Sequence, residues 1–371
     1  MTESENLLAL VQETIDGFFE NQRAEFAQIS PDLEPILDYA QSLLTGGKRF
    51  RALFCYWSWV GALETAALKQ TPEELAKSSE AIVGITAALE IFHAAALVHD
   101  DLIDQSDSRR GAPAVHKKFE KLHSDQGWAG SAERFGSSAS ILTGDLMLSW
   151  ASELFGKAIQ GAPSAEIELA CRDQFSLMRT EVMAGQYLDV LEENAANRRE
   201  VSEAVVRANR VMLYKTAKYS IEAPLLIGAA FAGADSGTLH ALSSFGIPLG
   251  IAFQLRDDVL GVFGDSAVTG KPIGDDLREG KRTVLVGLTR ETLSPSVAKV
   301  FDEMLTSRDL NSEQIAFLQQ TIIDSQALAK SERMIEDLAE QSAAALENIE
   351  LGEAAKAMLK TLAEKVVTRK S

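Results

Sequence analysis

Four carboxylates and two arginines fall within the fifteen residues LVHDDLIDQSDSRRG, at positions 97–111. Asp100 and Asp104 are four residues apart, so on a helix they share one face, and Asp101 lies about a quarter-turn away. Like charges at this spacing repel one another, and more strongly once water is removed, so a bound cation is the natural compensation. The spacing therefore predicts a site where Asp100 and Asp104 bind a metal together.

A second acidic pair, Asp257 and Asp258, ends another apolar segment, AFQLRDDVLG, and could face the first group across a helical bundle. Oxygen ligands favour magnesium over zinc or iron. Magnesium, arginine and lysine are together the groups that hold diphosphates in proteins. Any single basic residue would ordinarily be a solvated surface charge, but their recurrence beside two acidic motifs favours anion binding. The basic candidates are Lys48, Arg49, Arg51, Arg109, Arg110, Lys215, Lys271 and Lys281.

Overall composition limits the possible partners and the compartment. The 371 residues include 54 acidic and 36 basic ones, and the net charge of -18 opposes general binding to nucleic acid or anionic membranes. Cys55 and Cys171 are far apart in sequence, which favours a reducing cytoplasm over a disulfide or zinc framework. The N-terminus lacks the features of a signal peptide, and Glu90 and His93 interrupt the richest apolar run. We expect a soluble cytoplasmic protein with no membrane span.

Helical periodicity covers most of the chain, and almost nothing alternates like a strand. Helix-terminus signals agree with this periodicity, since Thr71 is a predicted helix N-cap followed by a first-turn proline. Residues 117–137 and 266–282 are predicted to be long irregular loops. Without a linker or a repeat, residues 1–371 are expected to form a single all-α domain. The predicted helices are 3–28, 33–45, 49–68, 73–104, 138–160, 165–194, 201–232, 236–264, 295–307, 312–346 and 352–369.

Several motifs in a fixed order resemble those of the trans-isoprenyl diphosphate synthases, the all-α polyprenyl synthetase family, and in particular bacterial geranylgeranyl diphosphate synthases. GGKRFR and DDLIDQSDSRRG come first, then GD at 144–145, and GQYLD, YKTA, FQLRDD and GKPIGDDLREGKRT follow. The resemblance covers roughly residues 35–300. It implies a single large helical bundle with a central active-site cavity, and a homodimer.

The resemblance also implies a role for each matching residue. About three Mg²⁺ ions would bind, two of them at Asp100 and Asp104 and the third at Asp257, supported by Asp101, Asp189 and Asp258. The diphosphate of isopentenyl diphosphate would contact Lys48, Arg51, His93 and Arg110. The allylic diphosphate would contact Arg109, Lys215, Lys271 and Lys281. Thr216 and Gln254 would place oxygens near the cationic carbons. We expect catalysis to depend on Asp100, Asp104, Lys215, Thr216, Gln254, Asp257 and Lys281.

One position departs from the family pattern. The second acidic motif is usually DDxxD, whereas here Gly261 occupies the position of the last acid. Asp257 and Asp258 remain, and Asp265 is close in sequence. We expect activity to survive this change.

The implied reaction is a head-to-tail 1'-4 condensation of isopentenyl diphosphate with dimethylallyl, geranyl or farnesyl diphosphate. Product length would depend on the residues below Asp100 on its helix. Farnesyl-making relatives carry aromatic residues where Ala95 and Ala96 stand here. Phe92, about one turn deeper, is then the expected floor, and it predicts a product of twenty carbons, geranylgeranyl diphosphate. If Phe92 points aside, the product would be longer.

Other interpretations remain open from the sequence. Glu90 with His93, and Glu120 with His123, have the ExxH spacing of di-iron bundles. His93 could also be a hydrogen-bonded core residue. A farnesyl synthase, a synthase of products of twenty-five carbons or more, a terpene cyclase and a non-catalytic partner subunit of a prenyl synthase are further alternatives.

Overall fold

A computed structural model describes residues 2–65, 70–265, 273–307 and 309–368 of the chain. Helices form almost all of the described regular structure, and one two-stranded hairpin pairs Ser108–Arg109 with Ala112–Pro113. Short 3₁₀ helices cover Pro31–Leu33, Ile159–Gly161, Ala196–Arg198 and Val201–Glu203, and a π-helix covers Met212–Glu222. The α-helices are α1 (Glu3–Ile29), α2 (Glu34–Ser42), α3 (Phe50–Thr65), α4 (Pro72–Ile103), α5 (Val115–Asp125), α6 (Ala132–Ala158), α7 (Ala165–Ala195), α8 (Ala204–Val211), α9 (Ala223–Phe231), α10 (Ser236–Phe263), α11 (Asp275–Glu279), α12 (Val284–Arg290), α13 (Pro295–Leu305), α14 (Ser312–Asp324), α15 (Ala327–Glu347) and α16 (Glu353–Val367).

The two long helices that carry the acidic motifs, α4 and α10, are central to the fold. Helix α4 begins with a capping box, in which Thr71 accepts from the backbone of Glu74 and Glu74 accepts in return. It is apolar on nearly all sides, as expected for a helix surrounded by others. It packs mainly against α6, whereas α10 packs against α15 and the π-helix. This arrangement brings the C-terminal ends of α4 and α10 to one cavity.

The π-helix lies between α7 and α10, and close backbone approaches hold it there. A Cβ atom on Gly185 of α7 would lie 2.3 Å from the backbone nitrogen of Lys215. A Cβ atom on Gly250 of α10 would lie 2.5 Å from the Cα of Ala217. Any larger residue at either position would push the π-helix away, so these two glycines determine how deeply Lys215 reaches into the bundle.

The structure corrects several predictions about secondary structure. The predicted helix 201–232 is divided by the π-helix Met212–Glu222, and no predicted helix covers α12. Residues 117–137 are not one irregular loop, because α5 covers Val115–Asp125 and α6 begins at Ala132. The predicted helix 312–346 is divided at Gln326, whose φ of 63° is left-handed. The predicted loop 266–282 contains the short helix Asp275–Glu279, and residues 266–272 lie outside the described part of the chain.

Two helices meet the length and composition expected of a membrane span, Pro72–Ile103 and Ser236–Phe263. In the first, 78% of the most apolar window is buried within the fold. In the second, the buried share is 44%. The burial of Pro72–Ile103 is that of a core helix surrounded by other helices.

Candidate active site

A cavity of about 630 Å³ opens between the ends of α4, α7, the π-helix and α10. Its wall carries both charge signs, and several of the acids and bases form ion pairs. The lining acids are Glu90, Asp100, Asp189, Asp257, Asp258, Asp275 and Asp276. The lining bases are Lys48, Arg49, Arg51, Arg109, Arg110, Lys215, Lys281 and Arg282. His93, Ala96, Thr216 and Gln254 complete the predicted residues that line the cavity.

Asp100 is surrounded by donors. Its Oδ1 lies 3.0 Å from the ammonium of Lys215 and accepts from Gln186 at 3.2 Å, while Oδ2 lies 3.4 Å from Arg109. Lys215 also contacts Asp189 at 2.5 Å. Burial alone would raise the pKa of Asp100, but the nearby cations, Lys215 foremost, lower it far below its usual value. Asp100 is therefore an ionised carboxylate that faces the cavity.

Asp104 is the C-cap residue of α4 and forms an ion pair with Lys281. Its Oδ2 is 3.2 Å from the Lys281 ammonium, which also contacts Glu279 at 2.7 Å and Asp276 at 3.6 Å. Burial raises the pKa of Asp104 despite Lys281. Ser106 donates a short hydrogen bond to Glu279 and so ties the end of α4 to the loop that carries Lys281. Asp104 and Lys281 thus join two segments that are distant in sequence.

Arg109 and Arg110 belong to the hairpin that follows α4. Arg109 donates from Nε to Asp101 at 2.7 Å, so the predicted supporting acid fixes the guanidinium beside Asp100. The turn residues Arg110 and Gly111 have φ values of 54° and 74°, as a two-residue hairpin turn with left-handed residues requires. That turn directs Arg110 away from Arg109, and Arg110 donates to the carbonyl of Leu43 at 3.1 Å.

The second acidic pair suits a hard cation. Gln254 donates to Oδ1 of Asp258 at 2.7 Å, and among the described residues Oδ2 of Asp258 is buried without a hydrogen-bond partner. Burial raises the pKa of Asp258 well above its usual value, and Asp276 adds to the effect. Asp257 lines the cavity on the same helix. An unsatisfied buried carboxylate oxygen among oxygen donors is what a bound Mg²⁺, directly or through its waters, would satisfy.

Lysine and arginine side chains contact two of the three acids that the sequence assigned to metal, Asp100 and Asp104. Within the described ranges, no three carboxylate, imidazole or thiolate side chains converge closely enough to hold a metal ion by themselves. Asp100 contacts Lys215 and Arg109, and Asp104 contacts Lys281. Magnesium usually keeps several ligands from waters and substrate phosphates, so a complete protein cage is not required.

A second basic group lies around Tyr219 of the π-helix. Arg51 donates to the Tyr219 hydroxyl and to Ser220, each at 2.7 Å, and its guanidinium lies 4.5 Å from the centre of the tyrosine ring. His93 hydrogen-bonds the same hydroxyl through Nδ1 at 2.6 Å. Burial, followed by Arg51 and Arg110, lowers the pKa of His93 well below its usual value, so the imidazole is neutral. These contacts hold three polar groups in fixed positions on one cavity wall.

Lys48 and Arg49 both line the cavity, but Arg49 also has a structural role. Arg49 is 9% exposed and donates to the carbonyl of Leu44 at 2.7 Å. Its φ of 47° is left-handed. Arg49 therefore holds the GGKRFR loop to the bundle, and Lys48 remains at the cavity.

Below Asp100, helix α4 presents Ala96 to the cavity, whereas Ala95 is buried. Phe92 is 1% exposed, and its ring centre lies 6.1 Å from that of Phe175 and 6.3 Å from that of Tyr219. Phe92 also lines a second pocket of about 490 Å³. Phe92 thus packs among aromatic rings one helix turn below Ala96.

Nearly all the predicted residues gather around this cavity, with two qualifications. Asp101 and Asp104 are buried just behind its wall, under Arg109 and Lys281. Lys271 lies outside the described residues. Sequence reasoning did not find Gln186, Tyr219 or Asp276. Gln186 and Tyr219 stand within or beside GQYLD and YKTA, so their nearness to predicted residues was the available signal.

The ExxH motifs are not arranged as a di-iron site. Glu90 accepts from the backbone nitrogen of Ala52 at 3.3 Å, and Glu120 pairs with Lys117 at 3.1 Å. His123 contacts the carbonyl of Ala129 at 3.3 Å. Each group already has a structural partner, so the di-iron interpretation is not supported.

Known proteins share both the motifs and the architecture. The sequence model of the polyprenyl synthetase family matches residues 33–322. The crystal structure of a geranylgeranyl pyrophosphate synthase from Corynebacterium glutamicum, complexed with isoprenyl diphosphate and magnesium, is 36% identical and superposes with a TM-score of 0.90 over 99% of this chain and 100% of that one. The geranylgeranyl diphosphate synthase of Sulfolobus acidocaldarius is 31% identical over 77% of this chain and 76% of its own. A geranylfarnesyl diphosphate synthase from Aeropyrum pernix is 34% identical over 65% of each chain.

The all-α bundle and its charged central cavity are those of an isoprenoid synthase, and the enzyme class is prenyltransferase. The chain belongs to the polyprenyl synthetase family, the trans-isoprenyl diphosphate synthases.

Proposed function

We propose that this chain condenses isopentenyl diphosphate with dimethylallyl, geranyl and farnesyl diphosphates, head to tail, to give geranylgeranyl diphosphate. One observation carries the proposal: acids from α4 and α10 share one cavity wall with two separate groups of basic residues. Two diphosphates must bind at once in this reaction, and a terpene cyclase would need only one. The second basic group, with Lys48 and Arg51, therefore favours a synthase.

Magnesium would supply charge that stabilises the departing diphosphate, and we assign about three ions by resemblance to the family. Asp100 and Asp104 would hold two of them and Asp257 the third. The supporting acids are Asp101, Asp189 and Asp258. The support is that the donors are all oxygen and that a buried Asp258 oxygen has no hydrogen-bond partner in the described part of the chain.

Each substrate would use a different basic group. Lys48, Arg51 and Arg110, with neutral His93 as a hydrogen-bonding group, would hold the diphosphate of isopentenyl diphosphate. Arg109, Lys215 and Lys281 would hold the allylic diphosphate, and Lys271 is assigned there by motif alone. In this assignment the cations would lie where negative charge grows as the allylic carbon–oxygen bond breaks, which is where fixed positive charge accelerates a reaction most.

The bonds change in a simple sequence. The allylic carbon–oxygen bond breaks, its electron pair leaves with diphosphate, and the isopentenyl double bond attacks the resulting allylic cation. A proton then leaves the new cation, and the released diphosphate is the proposed base. Oxygens of Thr216 and Gln254, both at the cavity, would stabilise the cationic carbons. Gln254 is oriented by its donation to Asp258 at 2.7 Å, which leaves its carbonyl oxygen available.

The twenty-carbon product is proposed from the position of Phe92. Ala96 leaves the first turn below Asp100 open, and the ring of Phe92 is packed one turn deeper. Relatives of similar identity carry names with fifteen-, twenty- and twenty-five-carbon products, among them a farnesyl synthase from Geobacillus stearothermophilus. Resemblance alone therefore does not choose the length, and Phe92 supports the choice.

We further propose a cytoplasmic homodimer in which residues 1–371 form a single domain without a membrane span. Helices α6 and α7 present an exposed apolar face that a second copy could cover. Its members are Ile141, Leu142, Leu169, Leu177, Met183 and Tyr187. Light scattering should give twice the mass of the chain, and Leu177→Glu should reduce it to the monomer.

The deciding experiment incubates the purified chain with Mg²⁺, labelled isopentenyl diphosphate and, separately, each allylic diphosphate. A twenty-carbon product supports the whole proposal. A fifteen-carbon product, or a ladder of twenty-five carbons and above, would retain the reaction and reject the floor. No product from the chain alone, with activity restored by a second protein, would point to a partner subunit.

A further inference from the structure

The segment that carries Lys281 to the cavity wall lies directly against α13, and none of the described residues of α13 lines that cavity. The segment runs from Gly280 to Thr283, between α11 and α12. Gly280 has a φ of 75°, and a Cβ atom on it would lie 2.6 Å from the backbone oxygen of Leu305. Thr283 is the N-cap of α12, where its hydroxyl accepts from the backbone of Val286 at 3.4 Å. The segment therefore contacts α13 at one end and begins α12 at the other.

The side chains of Lys281 and Arg282 have partners in different parts of the molecule. The Lys281 ammonium contacts Asp104 at 3.2 Å. Arg282 instead donates from Nη1 to Oδ1 of Asp302, on α13, at 3.1 Å. The other oxygen of Asp302 lies 2.5 Å from Nη2 of Arg290, the last residue of α12. One carboxylate thus joins α13 to the residues on both sides of α12.

This cluster of one acid and two arginines is largely removed from water. The side chains of Arg282, Arg290 and Asp302 are 11%, 19% and 28% exposed. Burial lowers the pKa of Arg282, and Asp302 is the largest opposing influence. Removing one partner from a buried ion pair leaves the other charge without compensation. Arg282 also lines the cavity, so a guanidinium released from Asp302 would turn toward the cavity acids and compete with Lys281 for them.

We infer that Asp302 is a positioning residue for Lys281, because it holds Arg282 on α13 and so fixes the segment from which Lys281 meets the allylic diphosphate. The inference rests on the proposed function for the role of Lys281. It goes beyond that function by giving a task to a helix outside the cavity. Weaker binding of the allylic diphosphate, with binding of isopentenyl diphosphate retained, is the expected consequence of losing Asp302.

The first test compares the KM values of the two substrates. Asp302→Asn keeps the shape of the side chain but removes the charge that two guanidinium groups share, and it should raise KM for farnesyl diphosphate about fivefold or more. KM for isopentenyl diphosphate should change less than about twofold, and Asp302→Glu should restore the allylic KM to within about threefold of wild type. A role confined to packing would lower Tm without separating the two KM values.

Glu192→Gln is the matched control, because Glu192 also lies between two arginines. Its partners Arg199 and Arg207 are not among the described residues that line the cavity. The loss of charge is the same, so Glu192→Gln should lower Tm as Asp302→Asn does, while both KM values stay within about twofold of wild type. Equal shifts of the allylic KM in the two variants would count against a specific role for Asp302.

The second test asks whether Asp302 acts through Lys281. Titration calorimetry with inorganic diphosphate at saturating Mg²⁺ needs no turnover, and Lys281→Met leaves Lys215 and Arg109 to bind the diphosphate. Asp302→Asn should weaken diphosphate binding about fivefold or more in the wild-type background, but less than about twofold when combined with Lys281→Met. Equal weakening in both backgrounds, or none in the first, would overturn the inference. Prenyl transfer without this coupling would refute the inference alone, and coupling without prenyl transfer would refute the proposed function alone.

Discussion

Replacing Phe92 with alanine should lengthen the product, because the ring fills the helix turn below Ala96. Ala96 lines the catalytic cavity, and Phe92 is four residues, or about 6 Å, further from Asp100 along the helix axis. Phe92 also lines the second pocket of about 490 Å³. Without the ring, we expect the growing tail to extend past Ala96 toward that pocket.

The lining of the second pocket limits the added length. Ser152 and Arg179 face it, and the Arg179 guanidinium donates to the Ser152 hydroxyl at 2.8 Å. An apolar tail gains little beside such groups and would desolvate them. An isoprene unit spans about one helical turn, roughly 5 Å, so one or two additional units are expected. The product of Phe92→Ala should therefore have twenty-five to thirty carbons.

Stability must be controlled in the same experiment. Truncating a buried phenylalanine costs about 3–5 kcal/mol of unfolding free energy. Phe301→Ala is the matched control, because Phe301 is equally buried but belongs to the other hydrophobic cluster. Both variants should lose similar thermal stability, but only Phe92→Ala should change the product measured by chromatography. Ala96→Phe should shorten the product to fifteen carbons. Unchanged length in Phe92→Ala and Ala96→Phe would refute the floor.

Three further substitutions test the charged groups. Asp100→Asn should lower kcat about 100-fold or more, and full activity would contradict the metal assignment. Because the pKa of Asp100 is lowered in the folded protein, the substitution should also reduce the unfolding free energy by about 1–3 kcal/mol above pH 5. This loss of stability should disappear in strong acid. With a chelator present, Asp258→Asn should raise Tm at pH 8 but not below about pH 4. Burial raises the pKa of Asp258, so only its ionised form destabilises the folded state. A gain in Tm that does not depend on pH would contradict this explanation. Tyr219→Phe should raise KM for isopentenyl diphosphate about fivefold to tenfold while changing the allylic KM less than twofold, because Arg51 loses one of its two acceptors. Equal shifts in both KM values would argue against separate diphosphate positions.

The acidic motifs could be placed from the sequence because helical periodicity is strong on both sides of them. Asp100 and Asp104 continue a long apolar helix, and their spacing alone gives a common face. Helix α5 was missed for the opposite reason, since its sequence VHKKFEKLHSD is dominated by charge. Its buried face consists of Val115, His116, Phe119 and His123. That face could be recognised as buried only from the packing of α5 against α6.

Residue patterns could not predict the local backbone geometry. A pattern of apolar residues does not distinguish an α-helix from the π-helix Met212–Glu222, yet this segment presents both Lys215 and Tyr219 to the cavity. The sequence around Gln326 does not indicate that a residue with left-handed backbone geometry separates two helices there. Gly261 and the carboxyl group of Asp276 are close in space although they are fifteen residues apart in sequence, which spacing rules do not address.

The self-repulsion of the first acidic motif is compensated by the same cations that would bind substrate. Lys215 and Arg109 contact Asp100, and Lys281 contacts Asp104. A magnesium ion arriving alone must displace these ammonium and guanidinium groups and leave them without partners, which is costly in a buried place. A diphosphate arriving with magnesium offers them new anionic partners while its oxygens complete the metal's shell. Under the proposed function, metal and diphosphate binding would therefore be coupled through the same three side chains.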